Sequence, residues 1–193
     1  FDTLSALKFS QSKGAKTAAV VNVMGSSIAR MVDKVILQGS GPEICVISTK
    51  AALSQMVVLT LLAMKLGLKK KVITKKAYQE NLKSLKELPA IIQGVLNERS
   101  GFIHRIANKY CKNKNWLYLG RGIYYPIALE SALKMKEVAY VHAEGMPAGF
   151  LKHGTLAMID DDISSIVFVP PKEKKDLYQS TIHSIEEIRA RSG

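Results

Sequence analysis

Apolar and polar positions run along this chain in blocks, and the period changes from block to block. Asp2 can cap a helix at once, Leu4 and Leu7 take up its spacing, and Gly14 ends it. Thr17–Val23 (TAAVVNV) is a continuous apolar, β-prone run, the pattern of a strand buried in a parallel sheet. Met24-Gly25-Ser26-Ser27 turns the chain into a short helical piece, and Lys34–Leu37 (KVIL) reads as another strand. After a loop with Gly39, Gly41 and Pro42, Ser48 or Thr49 caps a helix predicted to reach about Leu66 and stop at Gly67. From Thr74 to Lys112 the pattern is helical and polar, and Pro89, a plausible helix start, divides it into two or three connector helices. Then strand, glycine turn and helix resume: Trp116–Leu119 (WLYL), Gly120-Arg121-Gly122, and a helix over Pro126–Val141. A strand over Ser164–Val169 (SSIVFV) and a helix over Lys172–Arg191 complete the pattern.

Strands alternating with helices predict an α/β fold with parallel sheets, doubly wound in three α-β-α layers. The same strand–turn–helix order occurs on both sides of the polar connector, which predicts parts of two α/β units. The chain opens on a helix and closes on Gly193, a helix-end position where a strand should follow. It therefore reads as an excised piece: the later half of one unit (1–69), a helical connector (70–113) and the earlier part of another (114–193).

Composition narrows the picture only a little. The 193 residues carry 28 Lys+Arg against 16 Asp+Glu, a net charge of +12, with 47% hydrophobic and 23% charged residues. These fractions suit a folded chain and disfavour disorder. No apolar run without charges reaches the length of a membrane span; the longest candidate, Val57–Leu66, carries Lys65 and stops at Gly67. Cys45 and Cys111 are too few for a disulfide framework and fit no zinc cluster, which points to reduced thiols in a cytoplasmic protein. The basic charge raises nucleic-acid binding as a reading. However, the lysines crowd segment ends and polar helix faces, and no RNP-like, zinc-finger or helix-turn-helix pattern accompanies them.

Candidate chemistry falls in three strand-end turns and one helix. Gly25-Ser26-Ser27 and Gly120-Arg121-Gly122 follow strands and Val46 through Lys50 precedes the long helix, places where open α/β sheets bind ligands; simple helix capping is the commoner explanation for any single hydroxyl. No complete dinucleotide fingerprint, Walker motif or GxSxG elbow is present. On the Pro126–Val141 helix, Glu130, Lys134 and Glu137 share one narrow stripe, with Ala128, Ala132, Met135 and Ala139 behind it. So apolar a helix should be largely buried. The stripe is either a salt-bridged surface or a carboxylate–ammonium pair able to move protons on a sugar. His142 and His153 lack partners at metal-ligand spacing, and a histidine between Lys152 and Gly154 suits a loop acid/base.

From Leu119 to Asp160 the chain reads LGRGIYYPIALESALKMKEVAYVHAEGMPAGFLKHGTLAMID. This block closely resembles the second sugar-isomerase domain of the glutamine–fructose-6-phosphate amidotransferases. Upstream, Asp2-Thr3-Leu4, Asn22-Val23-x-Gly25-Ser26-Ser27 and Ser48-Thr49-Lys50-Ala51 resemble the first such domain, in the same order. The resemblance implies a sugar-isomerase (SIS) fold and an enzyme that makes glucosamine-6-phosphate from fructose-6-phosphate and glutamine-derived ammonia, without metal or other cofactor. It also implies a phosphosugar substrate, a homodimer, a glutaminase domain elsewhere in the parent, and no nucleic-acid or membrane partner.

Residue by residue, the resemblance makes Glu137 the isomerisation base and Lys134 its proton-transfer partner. It makes His153 the ring-opening histidine, supplied by the neighbouring subunit. Val46 and Ser48 match the loop lining the sugar site, and Arg121 and Glu130 match supporting positions. The family's phosphate loop would precede Phe1 and its Schiff-base lysine would follow Gly193, so this chain alone is expected to lack synthase activity. Met146-Pro147, Phe150 and Thr155 depart from the commonest bacterial pattern of Tyr-Ala, Glu and Pro. A non-catalytic phosphosugar sensor on the same fold is the alternative reading.

Overall fold

The structure, a computed structural model, describes residues 2–191; Gly193, read above as a helix-end position, lies outside them. The chain divides into two units, Phe1–Glu98 and Arg99–Gly193.

In the first unit α1 (Asp2–Ser12) precedes β1 (Ala18–Val21), α2 (Ser27–Met31), β2 (Lys34–Leu37) and α3 (Lys50–Lys69). The two strands pair in parallel, from Ala18 opposite Lys34 to Val21 opposite Leu37. β1 is shorter than its apolar run because polar groups clamp both of its ends. Thr17 donates to Asp33 Oδ2 from its backbone N (2.7 Å) and its hydroxyl (2.9 Å). These hydrogen bonds, the backbone one first, lower the Asp33 pKa below its ordinary value. At the other end Asn22 donates to Gly41 O and accepts from Ser40 N at 3.1 Å. Ser26 serves as the cap of α2, accepting from Ala29 N.

Two helix boundaries differ from the sequence reading. Thr49 precedes α3 but makes no capping bond with its side chain; Glu43 Oε1 accepts from Ala51 N at 2.8 Å instead. The helix runs on through Gly67, over which Ile73 packs, and ends where Lys71 takes a left-handed conformation. Its 20 residues carry lysines only at 50, 65 and 69, and by length and composition it could cross a membrane. Counting uncharged runs alone had hidden this. The connector is likewise one helix, α4 (Lys75–Tyr110), with Pro89 inside it rather than two or three pieces. Proline removes one donor, but each further residue adds a hydrogen bond, so propagation from the turns on either side carries the helix past the gap.

The second unit begins in the last turns of α4. It continues through β3 (Asn115–Gly120), α5 (Tyr125–Ala139), β4 (His142–Pro147), β5 (Ile163–Val167) and α6 (Lys175–Arg189). Three-residue-per-turn helices occupy Gly122–Tyr124, Ala148–His153 and Thr155–Met158. The strands form one parallel sheet in the order β4-β3-β5. β4 was not foreseen; the HAEGMP segment had been read only as a stretch bearing His142.

Side chains alternate across β3. Trp116 and Tyr118 pack with Ala128, Ala132 and Ala143 on the α5 side. Leu117 and Leu119 pack with Met146, Ala148, Leu151, Ile159 and Ile188 on the other. This is the α/β, layered, parallel arrangement that the sequence pattern predicts.

α5 lies very close to the sheet because its contact residues are small. A Cβ on Gly145 would stand 2.6 Å from Leu129 Cα, and one on Gly120 would stand 2.1 Å from Tyr124 O. Gly145→Ala must push α5 off β4 and should destabilise the unit by ~1–3 kcal/mol. Denaturant unfolding checks this, and an unchanged midpoint would refute the close seating.

Candidate active site

The face of α5 opposite Ala128 and Ala132 carries the charged stripe. Lys134 Nζ lies 2.9 Å from Glu137 Oε2 and 3.2 Å from Glu130 Oε1. The three residues are half-buried. Spacings of three and four residues bring them together on a helix surface, and tight packing against the sheet turns them outward. The helix is less buried than its composition predicts: only Ala128 and Ala132 are buried on it. Leu129, Leu133 and Val138 are exposed around the stripe.

The hydrogen bond to Glu137 is the largest influence holding the Lys134 pKa above its ordinary 10.5. The Glu130 contact and both charges add to it, and partial burial opposes it. Lys134 is therefore an ammonium at neutral pH. It can donate a proton or offset negative charge, while the carboxylates accept. The stripe is thus salt-bridged, one of the two arrangements its spacing allows.

Arg121 lies in the turn that leaves β3. α5 runs from that end of the sheet back to the start of β4, so Glu137 lies about 18 Å of helix rise beyond Tyr125. Arg121 is turned toward α6, where Nη2 donates to Ser184 Oγ at 3.3 Å and Ser180 O at 3.5 Å. Its buried Nε has no partner among the described residues. Glu130 is thus brought to Lys134, and Arg121 is tied elsewhere.

His153 ends the helix Ala148–His153, which packs through Ala148 and Leu151 on the sheet face opposite α5. The segment that ends in His153 and the helix that carries Glu137 therefore pack on opposite faces of the sheet. α6 grips this segment: Ser184 Oγ donates to Ala148 O at 3.5 Å, and Lys152 Nζ pairs with Glu187 Oε1 at 2.8 Å. The sequence reading missed Ser184 and Glu187. A serine inside an otherwise amphipathic helix was the available signal, since Ser184 is buried.

Val46 and Ser48 belong to the first unit, in the loop before α3. Val46 is exposed, Ser48 is half-buried, and Ser48 N donates to Val46 O at 3.0 Å. An apolar cavity of about 420 Å³ is walled by Tyr110, Trp116, Met135, Val141 and Ile166 among others, and contains none of the candidate residues. Among the described residues no three His, Cys, Asp or Glu side chains gather as metal ligands. Both cysteines are free and exposed.

The raised pKa has a definite stability sign. The folded value lies above the unfolded one, so the contribution of Lys134 is complete below pH 10.5 and is lost as pH rises through the folded value. Unfolding free energies of the parent and Lys134→Met should therefore differ by a constant amount up to about pH 10 and converge above it. A gap that instead closes between pH 7 and 9 would contradict the ion pairing.

The SIS domain profile matches residues 1–65 and 109–192. A curated relative, glutamine–fructose-6-phosphate aminotransferase (isomerizing) from Methanococcus maripaludis, is 44% identical over 193 residues, covering 100% of this chain and 31% of that protein. The chain thus spans about a third of the length of the curated relatives it matches. The C-terminal domain of glucosamine-fructose-6-phosphate aminotransferase from Francisella tularensis superposes with a TM-score of 0.93 at 35% identity, over 100% of this chain and 53% of that one. Glucosamine-6-phosphate deaminase from Thermotoga maritima shares the fold alone, with a TM-score of 0.65 at 18% identity, over 97% of this chain and 53% of that one. The profile match covers both α/β units, including most of α3, and the chain belongs to the SIS domain family, aligned along its whole length with the isomerase portion of glutamine–fructose-6-phosphate aminotransferases.

Proposed function

We propose that this chain supplies part of the sugar-isomerase half of an isomerising glutamine–fructose-6-phosphate aminotransferase. The activity belongs to the longer protein, since the chain spans 31% of its curated relative; alone it is expected to make no glucosamine-6-phosphate. The observation that carries the reading is the Glu130–Lys134–Glu137 cluster on the outward face of α5, with Lys134 2.9 Å from Glu137.

Once ammonia has added at C2 of the open-chain sugar and water has left, the imine must lose a proton from C1 and gain one at C2. The Glu137 carboxylate takes the first proton and returns it at the neighbouring carbon. Lys134, kept as an ammonium by its two carboxylates, offsets the charge that develops as C1 is deprotonated and can protonate the imine nitrogen; it recovers a proton from the C1 hydroxyl as the aldehyde forms, so one proton moves from C1 to C2 and one from O1 to nitrogen. No electrons are transferred, so a base and an acid side by side suffice. His153 opens the ring, Val46 and Ser48 line the sugar pocket, and Glu130 supports the site through Lys134; Arg121 would support it only indirectly, through its bonds to Ser180 and Ser184 of α6.

A homodimer follows from the same reading. The segment that ends in His153 packs on the sheet face opposite α5, which supports its serving a site on a second copy. The substrate is a phosphosugar, ammonia comes from a glutaminase domain of the longer protein, and exposed free thiols suit a reducing cytoplasm.

In the full-length enzyme Glu137→Gln should lower isomerisation about 10²–10⁴-fold while glutaminase turnover is spared. Normal glucosamine-6-phosphate formation by that variant would sink the assignment of Glu137. Phosphosugar binding without turnover in the unaltered full-length protein would favour the non-catalytic sensor.

A further inference from the structure

The segment Ala148–His153 is a helix of three residues per turn, in which side chains three apart eclipse one another. It therefore has three faces with different fates. Ala148 and Leu151 form the first and are buried at 2% and 1% exposure, against Leu117, Leu119 and Ile188. Gly149 and Lys152 form the second. A Cβ on Gly149 would stand 3.1 Å from Arg121 Nη1, and Lys152 pairs with Glu187 of α6 at 2.8 Å. Phe150 and His153 form the third, which faces solvent, with ring centroids 5.7 Å apart and planes inclined at 53°.

Two faces are anchored, so the third is held still. The imidazole at its end makes no hydrogen bond or ion pair among the described residues, and it meets the ring of Phe150. A free histidine at such a position would sample several rotamers. A phenyl ring on the eclipsed position removes some of them and meets the imidazole in a tilted aromatic contact. Phe150 is itself 61% exposed, so core packing does not account for it.

We infer that Phe150 is a positioning residue for His153, fixing the direction in which the imidazole is presented outward from this segment. The inference rests on the reading of His153 as the ring-opening group. The relevant side-chain property is the aromatic ring, so tyrosine should substitute and alanine should not.

The test is made in the full-length enzyme containing this chain. Phe150→Ala should move the ¹³Cε1 and Hε1 resonances of His153, assigned by their loss in His153→Asn, toward those of an unstacked histidine. It should lower kcat about tenfold with the phosphosugar KM unchanged within about twofold. Phe150→Tyr should keep the resonances near their original positions and hold kcat within about threefold of the parent. Unmoved His153 resonances in Phe150→Ala overturn the inference. So does an unchanged kcat in that variant when His153→Asn has lost turnover, and so does an equal kcat loss in the Tyr and Ala variants. Normal turnover in His153→Asn overturns instead the underlying reading of His153, while the spectrum still reports the ring contact separately.

Discussion

The close seating of α5 on the β4-β3 pair is the constraint from which the candidate site follows. A backbone approach that leaves 2.6 Å between Leu129 Cα and a hypothetical Gly145 Cβ is open only to glycine at that position. Ala128, Ala132 and Ala143 extend the same shallow contact. Small residues bury less hydrophobic area but fix the helix rotation, because rolling α5 would drive larger side chains such as Leu129 or Met135 into a gap that admits only alanine and glycine. That rotation is what sends Glu130, Lys134 and Glu137 away from the sheet, together and half-buried. A larger residue at 145 would act on the charged stripe without touching it.

The electrostatics of the stripe are a matter of orientation more than of stability. Ion pairs with partly exposed members contribute little net free energy, since solvent screens them and long side chains lose entropy in making them. A lysine between two carboxylates nevertheless has its position and charge set before any ligand arrives. Preorganised charge is the part of such a cluster that matters to a reaction in which charge moves over one or two atoms. The outer positions around the stripe, Leu129, Leu133 and Val138, are exposed, so the dielectric at the cluster depends on what covers them.

Much of this was legible from the chain. KVIL and WLYL read as strands because apolar, β-branched and aromatic residues bunch in runs too short for helices. The charged stripe read correctly because helical spacing alone fixes which side chains share a face. β4 was not legible. Its sequence, HAEGMP, has little β-propensity, and its strand character comes from pairing with β3 and from the closeness of α5 at Gly145. As an edge strand it also tolerates Pro147 at its end. Gly67 and Pro89 misled for a related reason: both are local breaking signals, and both sit inside helices long enough to absorb them. The grip of α6 on the His153 segment depends on residues more than thirty positions apart, such as Ser184 and Ala148, and no local pattern announces it.

The sheet also constrains how the two halves of the chemistry can meet. α5 covers the face of β3 that carries Trp116 and Tyr118, and the His153 segment covers the face that carries Leu117 and Leu119. Strand alternation makes these opposite sides of one layer, and a packed layer is not something a side chain reaches through. The proposed sharing of Glu137 and His153 between two copies agrees with this placement of the two segments on opposite faces. Rigidity at each group then matters more than proximity within a chain, because neither can adjust to the other before the copies meet. The Gly145 contact supplies that rigidity to the α5 cluster. On the other face it comes from Leu151, packed with Ile188, and from Lys152 and the Ala148 carbonyl, held by Glu187 and Ser184 of α6.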